Sequence, residues 1–137
     1  PEELPAGDIR GMRVLVVEDN ALNLEIMQCL LEDAGAIVTV ARDGAAAVEA
    51  VRSSPEGGFD AILMDIMMPV MDGLEASRQI RALPRPDAAN VPIIAMTANA
   101  FEEDRKRSAE AGMNDHLTKP LQPRLLMDTL AKYRKRP

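Results

Sequence analysis

Three acids and one lysine are the residues of this sequence best placed to do chemistry. Glu18, Asp19, Asp65 and Lys119 each stand at or just beyond the end of a predicted strand. An unpaired charge buried in a core is very costly, so we expect these side chains at an edge. Parallel strands open their carboxyl ends onto one shared edge, where α/β sheets bind ligands. Acids and a lysine there suit a divalent metal and a phosphoryl group.

Apolar runs and helical periodicity alternate along the chain and predict the elements that position these residues. The predicted strands are 13–17, 36–40, 60–64, 91–96 and 114–118. The predicted helices are 20–34, 44–53, 73–82, 100–111 and 121–134. Residues 84–86, Pro-Arg-Pro, are predicted to form a loop. This alternation indicates a single α/β domain with one doubly wound parallel sheet and helices on both faces.

Composition limits the possible classes of protein. The 137 residues carry a net charge of -6, which argues against nucleic-acid binding, and the single cysteine, Cys29, favours a reducing compartment. No run approaches the ~18 apolar residues of a membrane span, and no signal segment opens the chain. We therefore expect a cytoplasmic domain. Residues 1–11 are predicted to be a linker or leader, 12–134 the domain and 135–137 a basic tail.

Each acid taken alone has an ordinary structural explanation. Asp19 or Asn20 could cap the first predicted helix, and Asp72 could cap the third. Capping does not explain why charged residues stand at the ends of several strands at once. The convergence of acids and lysine on one edge favours a shared reactive site.

Four motifs together resemble the receiver domain of two-component response regulators, over residues 12–134. They are Val14-Leu15-Val16-Val17-Glu18-Asp19-Asn20, Leu63-Met64-Asp65-Ile66-Met67-Met68-Pro69, Met96-Thr97-Ala98 and Lys119-Pro120. The resemblance implies the flavodoxin-like strand order 2-1-3-4-5 and a cis peptide bond before Pro120. Further motifs look most like receivers fused to hybrid sensor histidine kinases: Glu18-Asp19-Asn20-x-x-Asn23, Met96-Thr97-Ala98-Asn99-Ala100 and Gly112-Met113-Asn114-Asp115. A free-standing receiver is the main competing interpretation.

The resemblance implies a Mg²⁺-dependent phosphoacceptor site. Asp65 would accept a phosphoryl group from a phosphohistidine. Asp19 and Asp65 would bind Mg²⁺ directly, and Glu18 would hold a metal-bound water. The backbone carbonyl of Met67 would be a further ligand. The domain would then change conformation or pass the phosphoryl group to a histidine phosphotransfer protein.

The resemblance also implies residues that read the phosphoryl group. Thr97 and Lys119 would contact its oxygens. Three residues before Lys119, receivers usually carry a tyrosine or phenylalanine that swings inward when the threonine moves. Here the position holds His116. It is either a surface histidine on an edge strand or a replacement for the aromatic ring, with a charge that changes near neutral pH.

The first predicted helix carries two apolar stripes, although a surface helix normally shows one. The stripe expected to pack on the sheet is Leu24, Met27, Leu31 and Ala34. The stripe on nearly the opposite face is Leu22, Ile26 and Cys29. This second stripe is either covered by the last helix or is a docking surface for a phosphotransfer domain or kinase.

Two classes of function fit the site. The leading interpretation is a signalling module, not an enzyme as an isolated domain, which acts as a monomer or weak dimer. Its partners would be a histidine kinase, a histidine phosphotransfer domain or both. The alternative is a Mg²⁺-dependent phosphohydrolase of the haloacid-dehalogenase type. Such enzymes carry a second acid two residues after the nucleophile, where this chain has Met67.

Overall fold

Five parallel strands form one sheet at the centre of the fold. The computed structural model describes residues 7–68, 71–98 and 102–134, without the side chains of 102–105. The strands are β1 (Arg13–Val17), β2 (Ile37–Ala41), β3 (Ala61–Asp65), β4 (Ile93–Thr97) and β5 (Asp115–Thr118). Their order in the sheet is β2-β1-β3-β4-β5, which confirms the predicted topology. The three inner strands, β1, β3 and β4, each carry a continuous apolar run, because both of their faces are covered by helices.

Helices cover both faces of the sheet. They are α1 (Ala21–Asp33), α2 (Gly44–Ser53), α3 (Gly73–Arg81), α4 (Pro86–Asn90), α5 (Glu102–Glu110) and α6 (Pro123–Lys132). On one face the core comes from α1 and α6, with Leu24, Met27, Leu31, Leu126 and Leu130. On the other face it comes from α2, α3 and α4, with Val48, Val51, Leu74, Ile80 and Ala88. None of the described helices is long and apolar enough to cross a membrane.

The helix α4 corrects the predicted loop at residues 84–86. Pro86 is the first residue of this short helix, a position at which proline's missing N–H costs nothing. Arg85 before it forms a two-pronged ion pair with Asp87 at 2.7 and 2.8 Å. The same guanidinium donates to the carbonyl of Val51 at the end of α2, at 2.7 Å. Tertiary contacts thus order a segment that its two prolines predict to be irregular.

The chain is packed from before residue 12, within the segment predicted to be a linker. Ile9 is 1% exposed and belongs to the core beneath α1 and α6. Arg134, just past α6, donates to the backbone carbonyl of Asp8 at 3.2 Å. The described part of the predicted linker is therefore held against the domain through an apolar anchor and a polar contact.

Candidate phosphoacceptor site

The three acids meet at the carboxyl edge of the sheet, as the sequence predicts. Glu18 and Asp19 follow β1, and Asp65 is the last residue of β3. These strands are neighbours in register, with Val17 opposite Met64, so their ends lie side by side. One carboxylate oxygen from each acid lies within 4.8 Å of the others. Hard oxygen ligands at this spacing fit Mg²⁺, which prefers carboxylates.

Lys119 lies between the two most buried acids. Its Nζ donates to Glu18 Oε2 at 3.2 Å and to Asp65 Oδ2 at 3.1 Å. The main chain of Lys119 donates to the carbonyl of Thr97 at 2.7 Å, which fixes the end of β5 against the end of β4. The Lys119-Pro120 peptide bond is cis, as the resemblance implies. The Lys119 ammonium group thus forms ion pairs with two carboxylates that are almost fully buried.

The electrostatics of the cleft favour added positive charge. Burial, and then the neighbouring charge of Asp65, raise the pKa of Glu18 above its usual range. Burial acts to lower the pKa of Lys119, but the hydrogen bond and charge of Asp65, with those of Glu18, outweigh it and raise that pKa. Three carboxylates face one ammonium group, so a divalent cation relieves the remaining repulsion.

The carboxylate of Asp65 is oriented from two sides. The backbone N–H of Met67 donates to Oδ1 at 3.1 Å, while Lys119 holds Oδ2. The Met67 side chain points outward and is 75% exposed. Thr97 is the last residue of β4 and is half-buried next to β3, where Met96 pairs with Asp65. The structure therefore brings Thr97, Lys119 and the acids to one edge.

The residues that cap helices are different from the acids that form the site. Asn20, not Asp19, caps α1 by accepting from the N–H of Asn23 at 3.0 Å. Asp72 caps α3 by accepting from the N–H of Glu75 at 2.9 Å. The capping explanation is therefore wrong for Asp19 and confirmed for Asp72.

Sequence reasoning missed Arg42 at the rim of the cleft. Its exposed guanidinium donates to the backbone carbonyl of Asp19 at 3.4 Å. The available signal was its position directly after β2, since β2 ends at the same edge as β1.

His116 lies in β5, at the edge of the sheet, and is half-buried. It pairs in register with Ala95 of β4. The predicted edge-strand location is confirmed, while its part in a conformational switch stays a prediction.

The second apolar stripe of α1 faces outward. Leu22 is 65% exposed, Ile26 is 50% exposed and Cys29 is also exposed. The sheet-facing stripe is buried as predicted, apart from the half-buried Ala34. The alternative in which the last helix covers the second stripe is wrong, because Leu22 and Ile26 stay exposed although α6 packs on the same face of the sheet.

An apolar groove runs beside this stripe and opens onto the acidic cleft. Its volume is about 440 Å³. The residues that line it are Glu18, Asn23, Ile26, Met27, Leu30, Lys119, Pro120, Leu121 and Leu126. The groove and the cleft therefore share two side chains, Glu18 and Lys119.

The fold and the site together define a doubly wound α/β domain with an acidic, lysine-containing cleft whose donors and acceptors suit Mg²⁺ and a phosphoryl group. The response regulator receiver domain model matches residues 14–131. The chain belongs to this family, whose members are phosphoaccepting modules of two-component signalling.

Solved receiver domains share this architecture. The receiver domain of sensor histidine kinase PA1611 from Pseudomonas aeruginosa, with magnesium coordinated in its active-site cleft, is 41% identical, with a TM-score of 0.80. That match covers 90% of this chain and 97% of the other. The receiver domain of Saccharomyces cerevisiae Ssk1, bound to the histidine phosphotransfer protein Ypd1, is 32% identical, with a TM-score of 0.81. It covers 91% of this chain and 90% of the other.

The curated relatives are much longer proteins. The sensor protein GacS of Pseudomonas syringae is 42% identical over 125 residues, which cover 90% of this chain and 14% of GacS. Hybrid signal transduction histidine kinase I of Dictyostelium discoideum is 37% identical over 130 residues, 93% of this chain and 8% of the kinase. The chain thus spans a small part of the relatives it matches.

Proposed function

We propose that Asp65 accepts a phosphoryl group from the phosphohistidine of a partner protein. A carboxylate oxygen of Asp65 attacks phosphorus, the P–O bond forms, and the P–N bond breaks. The electron pair of that bond stays on the imidazole nitrogen, which takes up a proton from solvent. The observation that carries the proposal is the orientation of the Asp65 carboxylate by Met67 N–H and Lys119 at the same edge as two further acids.

Each neighbouring group has a part in this transfer. Asp19 and Asp65 would hold Mg²⁺ directly, Glu18 through a water, and the Met67 carbonyl would complete the set. The bound ion supplies positive charge that offsets the charge of the phosphoryl group. Lys119 carries a proton at neutral pH, as lysines ordinarily do, and its raised pKa keeps it charged despite burial, so it can neutralise a phosphoryl oxygen. Thr97 offers one hydroxyl that donates to another phosphoryl oxygen. His116 would respond when Thr97 moves toward that oxygen.

The domain would act as a signalling module and not as a turnover enzyme. A phosphohydrolase of the haloacid-dehalogenase type needs a second acid two residues after the nucleophile. That position holds Met67, whose exposed thioether carries no transferable proton. The family match gives this alternative no support. Steady hydrolysis of p-nitrophenyl phosphate would contradict the signalling assignment.

The partner would be a histidine kinase or a histidine phosphotransfer domain that docks on α1. Leu22, Ile26 and Cys29 form the docking stripe, and the groove beside it leads to Lys119. The stripe is apolar with a charged rim, which suits a transient interface. The complex of the Ssk1 receiver with Ypd1 supports this kind of partner.

We also propose the setting in which the domain works. It would be a cytoplasmic monomer or weak dimer with no nucleic-acid partner and no direct membrane contact. The net charge of -6 supports the exclusion of nucleic acid, because the phosphate backbone repels an acidic surface. The parent chain would be a hybrid sensor histidine kinase, as the curated relatives are named.

Phosphorylation of defined variants tests the assignment of Asp65. Incubation with acetyl phosphate and Mg²⁺ should add a single phosphoryl group, measured by intact-protein mass spectrometry. Asp65→Asn should abolish the added mass, because an amide cannot replace the nucleophilic carboxylate. Asp60→Asn is the matched control, since Asp60 precedes the same strand at its other end and binds Arg13. Labelling of Asp65→Asn, or loss of labelling in Asp60→Asn alone, would overturn the assignment.

A further inference from the structure

Helix α3 begins in direct contact with the backbone of Asp65. Its first residue is Gly73. A Cβ atom at Gly73 would lie 3.0 Å or less from the Asp65 carbonyl carbon and oxygen and from Ile66 Cα. The obstructing atoms are all backbone, so no side chain can turn away to make room. Glycine is therefore required here by close approach and not by a left-handed backbone.

Hydrogen bonds connect this contact to the orientation of the Asp65 carboxylate. Gly73 N–H donates to the Ile66 carbonyl at 3.0 Å, and Ile66 N–H donates to the Met96 carbonyl at 3.1 Å. The two peptide groups that flank Ile66 are thus held, one by β4 through its N–H and the next by α3 through its carbonyl. The next N–H, that of Met67, donates to Asp65 Oδ1. A displacement of this segment would move the N–H that orients the carboxylate.

A second glycine lies in close contact with the β3–α3 connection, at Met71 near the start of α3. Gly44 is the first residue of α2, and a Cβ atom there would lie 2.6 Å from the Met71 carbonyl oxygen. It would also lie 2.9 and 3.0 Å from Met71 Cγ and Cβ. Two helices therefore begin against one connection, and both do so at a glycine.

We propose that Gly73 and Gly44 are positioning residues for the phosphoacceptor site. By letting α3 and α2 approach closely, they fix the Asp65 carboxylate and the Met67 carbonyl relative to each other. This inference rests on the proposed function, because those two groups are the ones assigned to phosphoryl transfer and metal binding. A misplacement of ~1 Å can reduce a rate about a hundredfold, so an added methyl group at Gly73 should be felt there.

The test compares alanine substitutions at three glycines. Gly73→Ala and Gly44→Ala introduce the obstructing Cβ atom. Gly57→Ala is the control: Gly57 has φ +72° and nothing within 4 Å of its Cβ position, so the change strains the backbone away from the site. For each variant, initial rates of labelling by acetyl phosphate are measured across a Mg²⁺ series. Urea unfolding is measured in parallel.

A positioning role predicts a change that lost stability alone would not produce. Gly73→Ala should remain folded, with the Mg²⁺ concentration at half-maximal rate raised tenfold or more. Gly44→Ala should shift it in the same direction by a smaller factor. Gly57→Ala should unfold at lower urea with its Mg²⁺ response unchanged.

Every other outcome also decides for or against the proposal. A folded Gly73→Ala with the wild-type Mg²⁺ response, while the wild-type protein labels on Asp65, overturns this inference and leaves the proposed function intact. If Gly73→Ala fails to fold, Gly44→Ala decides by the same Mg²⁺ criterion. Unfolding of both variants makes the glycines structural only and overturns the positioning role. A wild-type protein that does not label overturns both proposals.

Discussion

Replacing Lys119 with methionine should destabilise the metal-free domain markedly. Lys119 contacts Glu18 and Asp65, whose side chains are only 2% and 3% exposed. Removing one partner of a buried ion pair costs about 3–5 kcal/mol, because the other charge stays buried and uncompensated. Since Lys119 is itself 30% exposed and the cleft opens to water, we expect a loss below that range, about 2–3 kcal/mol.

Mg²⁺ should reverse most of this loss. A ligand that binds only the folded state stabilises it by about 2.7 kcal/mol at a hundredfold excess over its dissociation constant. The Lys119→Met variant should gain more than the wild-type protein, because it lacks the competing cation. Asp19→Asn should act in the opposite direction: it relieves repulsion, raises metal-free stability and removes the Mg²⁺ response.

Urea unfolding in EDTA and in millimolar Mg²⁺ measures these differences. Lys132→Met is the control, since Lys132 is 62% exposed and pairs with Asp115 at the surface, where such a pair contributes about 1 kcal/mol or less. Equal stability of Lys119→Met and the wild-type protein in EDTA would refute the reasoning. An unchanged wild-type stability on adding Mg²⁺ would show that the carboxylates do not act as one site.

Two further substitutions test the docking stripe and a surface cluster. Ile26→Glu should slow phosphotransfer from the partner tenfold or more, about 1.4 kcal/mol. Ile26 is half exposed, and burial of its exposed half under the partner would stabilise the complex by about 1 kcal/mol. Labelling by acetyl phosphate and thermal stability should not change. The control is Ile37→Glu, a change at another exposed apolar residue. Unfolding of Ile26→Glu would show that the stripe belongs to the core. Asp115→Asn should lower the free energy of unfolding at pH 7 by about 1 kcal/mol or less. Burial acts to raise the pKa of Asp115, but the hydrogen bond from Lys132 at 2.9 Å and that from the His116 N–H outweigh it and lower the pKa. The wild-type protein should thus be more stable than the Asp115→Asn variant above the ordinary aspartate pKa, and this stability difference should disappear as pH falls through the lowered pKa. A stability difference that grows in acid would contradict the prediction.

The sheet and the site were predictable because local pattern and tertiary position agree there. A continuous apolar run identifies a strand buried on both faces, and a charge at its end must lie at an edge. Lys119 follows β5, whose sequence Asp-His-Leu-Thr is mixed, and the alternation of elements places it at that edge. The location of Glu18, Asp19 and Asp65 follows from the apolar runs before them. This reasoning depends only on strands being parallel, which the alternation of elements already implies.

The features that sequence missed depend on contacts between distant segments. The helix α4 is ordered by Arg85, whose acceptors include a carbonyl 34 residues earlier in the chain. Ile9 lies in a segment with no periodicity, so its burial cannot be deduced from its neighbours. Gly73 reads as an ordinary residue after a capping aspartate, and only the approach of α3 to Asp65 shows why glycine is needed.

The outward stripe of α1 shows where periodicity stops being informative and what structure adds. Helical spacing places Leu22, Ile26 and Cys29 on one face, but it does not say which neighbour covers that face. The structure leaves it uncovered and puts a groove between it and the cleft, with Glu18 and Lys119 lining both. A partner seated in the groove would therefore remove water from the same two side chains that flank the phosphoacceptor. Because charge interactions strengthen when water is excluded, docking and phosphoryl transfer would be coupled through Glu18 and Lys119.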